Sequence, residues 1–289
     1  MAERNNIESF LLITNNQKDK DLSVTNSICD YLIGKKGKAV KTYIPENRDY
    51  DISADKLEGV DCVLVLGGDG TILRVAKKIV KSGLPIVGVN MGHIGYLADV
   101  DKDNVFSALD ALCEGKFTIE NRMMLSGKVI RDESVLCDWD ALNDIVITRG
   151  GSMQILNFEV LVNGKMLKAY RADGLILATP TGSTAYNLSS GGPLVEPGAD
   201  MTLVTPIAPH TMLSRSIILK AEDEIEVKIL PSHDLNVEQL IEVYFDGIER
   251  LKLEVGDKVV VTKSDMTTTL VRISDAGFLE TLYEKMREG

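Results

Sequence analysis

An aspartate set among glycines is the first residue whose surroundings suggest chemistry. In GGDGT, Gly67 to Thr71, Asp69 follows the apolar run Cys62 to Leu66 and precedes a stripe of Ile72, Leu73, Val75, Ala76, Ile79 and Val80. The run suits a strand covered on both faces, and the stripe has helical spacing. Gly67, Gly68 and Gly70 permit close approaches and unusual backbone angles, and Thr71 is expected as the N-cap. A glycine turn that opens a helix offers free N–H groups and a positive dipole end, which together suit a phosphate. A carboxylate at that point would repel the phosphate unless it serves a neighbouring hydroxyl or a metal.

Three further stretches carry polar groups in positions that chemistry could use. In ALNDIVITRG, Asn143 and Asp144 stand side by side before an apolar run, as a strand-opening turn or as an amide and a carboxylate for a ligand. In YRADGLILATPTGSTAYNLSSGGP, Arg171 and Asp173 precede a buried strand. The loop after it carries Thr179, Thr181, Ser183, Thr184, Ser189 and Ser190 together with Asn187, groups able to bond a polyhydroxyl or phosphate ligand without charge. In TPIAPHTMLSRS, Thr205 to Ser216, His210 has no serine or cysteine nucleophile placed with it, and His93 and His233 carry no better case. No histidine spacing suits a metal, and Cys29, Cys62, Cys113 and Cys137 form no CxxC pair. A GxxxxGK[ST] loop is absent, and GGDG is not GxGxxG, which disfavours a Walker-A nucleotidase and a conventional dehydrogenase.

The elements that must position these residues fall into two rhythms. Strands at Ser9 to Thr14, Ala39 to Ile44, Cys62 to Leu66 and Pro85 to Asn90 alternate with helices at Asp21 to Leu32, Thr71 to Lys81 and from Val105 to near Gly115. That alternation predicts an open, mostly parallel α/β sheet over 1–118, whose ligands sit outside the strands' carboxyl ends. From Phe117 strands dominate: Phe117 to Ile130, Ala141 to Thr148, Ile155 to Val162, Lys165 to Tyr170, Gly174 to Ala178, Ser216 to Lys220, Glu224 to Ile229, Ile241 to Phe245 and Lys258 to Thr262. With Asn163-Gly164 as a hairpin turn, 119–273 is expected to be an all-β domain, a sandwich without a long helix. Thr268 to Ile273 and a helix at Gly277 to Arg287 are expected to pack back on the first domain, so 274–289 joins it. No flexible linker marks the border, which predicts tight coupling.

Composition narrows the partners. With 289 residues, 44% hydrophobic and 26% charged, the chain fits a soluble one- or two-domain protein. A net charge of −11 argues against a nucleic-acid surface. No run approaches the roughly 18 apolar residues of a membrane span, and MAERNNIESF has no signal core, so a cytoplasmic protein without a membrane partner is expected.

GGDGT, Asn143-Asp144 and DGLILATPTGSTAYNLSSGGP together resemble the bacterial NAD kinase family, with NMGHIGYL, PIAPHTMLSRSIIL and Asp246-Gly247 in the same order. The resemblance spans about residues 60 to 250. It implies a Rossmann-like N-terminal domain, a β-sandwich C-terminal domain, and ATP-dependent phosphorylation of the adenosine-ribose 2′-hydroxyl of NAD to NADP. Asp69 would then be the general base, while glycine amides and Mg²⁺ hold the donor's phosphates. By position, Asp69, Gly70 and Arg74 would surround the reacting ribose and phosphates, and Asn143 and Asp144 would bond the dinucleotide. Asp173 would bind the nicotinamide carboxamide with the Ala208 region. Thr184, Ala185, Tyr186, Asn187, Leu188 and Ser189 would line the base pockets, with Tyr186 stacking on a base. Arg171 fits a pyrophosphate or a subunit boundary, Asp246 is a second acidic group, and the resemblance implies a homodimer or homotetramer. This chain departs from the family in Asp144 for a frequent Glu, Tyr96 for a common Phe, and Ile248 for a frequent Gln. GGDG is shared with lipid kinases of the diacylglycerol and sphingosine type, the alternative enzyme; a dinucleotide sensor without transferase activity is the alternative outside enzymes. ATP and polyphosphate both remain open as donor, and NAD and NADH as acceptor.

Overall fold

A computed structural model describes residues 7–46, 50–92, 95–151, 155–210, 215–232, 240–273 and 277–288. His93, His233, the Thr211 to Ser214 part of TPIAPHTMLSRS, and residue Ser274 lie outside the described residues. The chain divides into two compact units, Met1–Asn121 with Thr268–Gly289, and Arg122–Thr267.

In the first unit, strands β1 (Ser9–Thr14), β2 (Ala39–Tyr43), β3 (Cys62–Gly67) and β4 (Ile86–Asn90) lie in the order β2-β1-β3-β4, with short β5 (Val100–Asp101) beside β4. Every pair is parallel, with Phe10 opposite Cys62 and Val63 opposite Ile86. All six residues of β3 are buried, as expected of a strand covered on both faces. Helices α1 (Ser23–Asp30), α2 (Ala54–Leu57), α3 (Asp69–Ile79) and α4 (Val105–Cys113) connect them. Ile28, Leu32, Leu109 and Leu112 pack with Phe10, Leu64 and Val87 in one core. Burying each such side chain contributes about 1.5–3 kcal/mol.

Two helix starts differ from expectation. The chain before α1 is held by Asp19, whose buried carboxylate accepts the N–H groups of Val24 and Thr25 and the Thr25 hydroxyl. At α3 the N-cap is extended Gly68, not Thr71. The Gly68 carbonyl takes the N–H groups of Thr71 (2.8 Å) and Ile72 (3.1 Å), while the Thr71 hydroxyl accepts from Asn15 (3.1 Å) instead of capping.

The second unit is built from β6 (Thr118–Arg131), β7 (Ser134–Ala141), β8 (Asp144–Arg149), β9 (Leu156–Val162), β10 (Lys165–Ala172), β11 (Gly174–Ala178), a short helix α5 (Tyr186–Ser189), β12 (Met201–Ile207), β13 (Ile217–Lys220), β14 (Ile225–Leu230), β15 (Ile241–Phe245), β16 (Glu249–Leu253) and β17 (Lys258–Arg272). One sheet runs β10-β9-β14-β17 with β6 beside β17 and β7 beside β6; the other runs β13-β12-β11-β8-β15-β16. Residues of both, among them Leu125, Phe158, Val227, Leu175 and Phe245, form one core, so the unit is a β-sandwich. Asn163 and Gly164 both have positive φ in the predicted hairpin turn between β9 and β10. Strands β7, β12 and β16 were not foreseen. Lys258 to Thr262, expected as a strand of the β domain, and Thr268 to Ile273, expected as separate α/β material, are joined as far as Arg272 in β17 through the polar Ser264 and Asp265.

The end of β17 belongs to the first unit, where Leu270 pairs with Ile86 in parallel. Helix α6 (Phe278–Glu288) follows, with Phe278 against Tyr96 at 6.3 Å between ring centroids.

Candidate functional site

The first unit's parallel sheet has its strand order reverse between β1 and β3, since β2 lies on one side of β1 and β3 on the other. Loops that leave such a point diverge and open a crevice at the carboxyl ends of the strands. Here those loops are Asn15 to Lys18 after β1 and Gly68 to Gly70 after β3, tied by the Asn15 N–H on the Leu66 carbonyl (2.9 Å). A 260 Å³ pocket lies between them, lined by Asn16, Lys18, Tyr50, Gly68, Gly70 and Arg74, among others. A Cβ at Gly68 or Gly70 would meet nothing within 4 Å, so the two leave open space and bare backbone where a ligand could approach. Among the described residues no carbonyl takes the N–H of Gly68, Asp69 or Gly70. Three donors at a helix start, with the cations of Lys18 and Arg74, suit a polyphosphate. Burial pushes the Tyr50 hydroxyl above its ordinary pKa, and its hydrogen bond to Thr71 and the nearby Arg74 charge partly offset this.

The Asp69 side chain does not line that pocket. Its carboxylate accepts the N–H of Tyr96 (2.8 Å) on one oxygen and of Leu97 (3.1 Å) on the other. Gly95 makes that possible, because a Cβ there would overlap the carboxylate. An ionised carboxylate has about four lone-pair sites, so two amide bonds fix its position and leave capacity to accept a further proton donor. The odd acid of the glycine turn is therefore held in place by backbone.

In the second unit a different polar turn is gripped from both sides. Asp246, at positive φ in the turn between β15 and β16, accepts the N–H groups of Leu142 (2.8 Å), Asn143 (2.7 Å) and Asp144 (3.1 Å). Thr179 donates its hydroxyl to the Leu142 carbonyl (2.6 Å) and its N–H to the Asn143 carbonyl (2.9 Å). With its backbone thus committed, the turn presents the Asn143 side chain and the Asp144 carboxylate to a 470 Å³ cavity also lined by Thr148, Ala185, Tyr186 and Tyr244. Asp144 is 6% exposed, and no described hydrogen bond reaches its carboxylate. Burial first, and the Asp246 charge second, push its pKa up to about 7. Tyr186, 44% exposed, offers a ring face of the kind on which a base stacks.

Several expected contacts have other partners. The Asn187 side chain is buried and spent inside the fold: it donates to the carbonyls of Ser183 (3.2 Å) and Pro193 (3.0 Å) and accepts from Thr205 (2.7 Å). The Asp246 carboxylate likewise serves the turn. The hydroxyl-rich loop mostly holds itself together, since Ser183 bonds Val195, Thr184 bonds the Thr181 carbonyl and Ser189 bonds the Tyr186 carbonyl. Of Thr184 to Ser189, Ala185 and Tyr186 line the cavity; Leu188 and Ser189 are exposed elsewhere. Arg171, Asp173 and Ala208 do not line it either. Asp173 is paired with Arg149, whose Nε and Nη2 each lie 3.1 Å from a carboxylate oxygen. The exposed Arg171 lends its carbonyl to the His210 N–H (2.8 Å), and Ala208 sits at positive φ after β12.

Sequence reasoning passed over Asn15 to Lys18, Tyr50, Thr148, Arg149 and Tyr244. The polar TNNQK run at the end of a parallel strand was a usable signal for Lys18. Thr148 stands four residues after Asp144 on the same face of β8, which strand alternation could have shown. Tyr50 and Arg149 had no local signal.

Models of two protein-family domains match the chain: the ATP-NAD kinase N-terminal domain over residues 14–117 and the ATP-NAD kinase C-terminal domain over 142–273. An NAD kinase of Agathobacter rectalis is 41% identical over 283 residues, 97% of this chain and 99% of the relative. One from a Thermoanaerobacter species is 39% identical, covering 96% and 98%. Among solved structures, yeast NADH kinase complexed with NADH superposes with a TM-score of 0.81 at 23% identity, covering 98% of this chain and 89% of that one. An NAD kinase from Archaeoglobus fulgidus in complex with ATP gives 0.76 at 24% identity, covering 97% and 99%. At those identities the structures bear on fold alone.

Proposed function

We propose a reaction for this chain from the premise that it belongs to the ATP-NAD kinase family. It transfers the γ-phosphoryl group of ATP to the 2′-hydroxyl of the adenosine ribose of NAD. The observation that carries the reading is Asp69, a carboxylate fixed by two backbone amides at the start of a helix whose first N–H groups meet no carbonyl among the described residues. In the reaction Asp69 accepts the hydroxyl proton as the oxygen attacks the γ-phosphorus, the bond to the β-phosphate bridging oxygen breaks, and ADP leaves. The proton on Asp69 then passes to solvent. Gly68 to Gly70, Lys18 and Arg74 hold the donor's phosphates, which enter as the Mg²⁺ complex, the metal being part of the substrate. Asn143 and Asp144 bond ribose hydroxyls of the dinucleotide, an amide donor beside a carboxylate acceptor, and Tyr186 stacks on a base. Asp173, oriented by Arg149, receives the nicotinamide amide near Ala208, and Arg171 serves a pyrophosphate or a subunit boundary. We also infer a cytoplasmic homodimer or homotetramer, which light scattering on the purified protein would check.

Steady-state assays that cross NAD, NADH and diacylglycerol as acceptors with ATP and polyphosphate as donors test the assignment. NADP formation from NAD and ATP is expected, without lipid phosphorylation. A general base contributes ~10²–10⁴-fold, so Asp69→Asn should lose that much turnover and keep NAD binding. Near-normal activity of Asp69→Asn would sink the role given to Asp69.

A further inference from the structure

The loop that holds Asp69 is itself held, and by the end of the chain. Tyr96 donates its N–H to Asp69 (2.8 Å), and its carbonyl accepts from Nη2 of Arg272 (3.4 Å). Its ring meets Phe278, and the Lys285 ammonium sits 4.2 Å from the ring centroid. Three residues further on, Asp99 accepts the Ile273 N–H (2.7 Å) and faces Nη1 of Arg272 (3.4 Å), while the Arg272 Nε donates to Glu120 (2.8 Å). Arg272, Ile273, Phe278 and Lys285 thus grip the loop 96–99 by backbone, by charge and by one aromatic ring.

We propose that helix α6 is a positioning element for phosphoryl transfer, acting through the ring and peptide of Tyr96 on the carboxylate of Asp69. The proposal rests on the reading of Asp69 as the base. An isolated helix of this length is marginal in water, so α6 owes its order to docking, and among the described residues Tyr96 takes both Phe278 and Lys285. Lys285 lies in the last turn, where the helix dipole favours a cation, so its charge is held in place over the ring. A displacement of about 1 Å at a reacting group can cost on the order of a hundredfold in rate. The described contacts of Tyr96 with α6 are made by its ring.

Steady-state kinetics on full-length variants test this. Lys285→Ala should lower kcat by about two- to fivefold, the worth of a part-exposed cation–ring contact, with both KM values within about twofold. Lys285→Arg should restore the rate. Tyr96→Ala should lose about a hundredfold in kcat, and adding Lys285→Ala to it should change nothing more. Should Tyr96→Ala not fold, the Lys285 pair decides alone. In the Asp69→Asn background, Lys285→Ala should leave the residual rate unmoved. Parental kcat in Lys285→Ala, a loss confined to KM, or a further loss in the Asp69→Asn background each overturns the proposal. An Asp69→Asn variant that turns over normally refutes the base assignment itself, a result separate from these.

Discussion

Asp144 supplies a test with two opposite signs. Its carboxyl is buried, no described donor reaches it, and its pKa stands at about 7 against an ordinary 3.8. A group whose pKa is raised on folding favours the folded state below its unfolded pKa, and that stability is lost as the pH climbs through the folded value. The window here runs from about pH 4 to pH 7. A shift of about three units corresponds to about 4 kcal/mol, of which about 2.5 kcal/mol falls between pH 5 and pH 8. Asp144→Asn removes the titration and keeps the shape, so its stability advantage over the parent should widen by about that amount between those pH values, a shift of several degrees in melting temperature. NAD affinity should move the other way. On the proposed reading ribose hydroxyls donate to the ionised form, whose share grows through a pKa of about 7, so parental affinity should rise about tenfold from pH 6 to pH 8. Calorimetric titration and thermal melts of both proteins across pH 5.5 to 8.5 read both effects. The other titrating groups cancel in the difference. A parental affinity that is flat with pH, or the same slope in Asp144→Asn, would refute the reasoning.

Gly95→Ala puts a methyl group into the space of the Asp69 carboxylate and should lower kcat about a hundredfold, with ATP binding by calorimetry unchanged. Asp246→Asn swaps one acceptor oxygen for a donor facing backbone N–H groups; loss of about 3 kcal/mol in the second unit is expected by thermal melt, with NAD affinity down tenfold or more. Arg149→Met frees Asp173, so KM for NAD should rise about fivefold with kcat unchanged, and stability should move by less than about 1 kcal/mol because the pair is partly exposed.

What the sequence disclosed, and what it hid, follows from the range of the interactions. The buried run of β3, the Asn-Gly hairpin and the switch from alternating helices and strands to strands alone are set by neighbours within a few residues, and all were legible. β16 was missed although Asp246-Gly247 is itself a hairpin turn, since both residues have positive φ; the acid drew a functional reading away from its backbone role. β17 was divided because Ser264 and Asp265 interrupt its apolar alternation. The hydroxyls of Thr179 to Ser189 were read as ligand contacts because sequence shows donors without showing which carbonyls take them. Thr179 binds Leu142 at a separation of 37 residues, and no local pattern encodes that pair.

The same blindness explains why three aspartates that look alike in sequence differ so much in the fold. Asp246 accepts three backbone N–H groups, Asp69 accepts two, and Asp144 accepts none from the described residues. An acid that gives three of its about four lone-pair sites to backbone is chiefly a building part, and the turn depends on those bonds. One with two bonds on separate oxygens is fixed in direction and still able to accept, which is what a base requires. One buried with no donor among the described residues keeps its acceptor sites for a ligand, and on the proposed reading ribose hydroxyls donate to it at the cost of one released proton. On the proposed reading, structure, base and binding track the count of backbone donors at each carboxylate. That count also says which substitution will read out where: Asp246 in stability, Asp69 in turnover and Asp144 in the pH dependence of affinity.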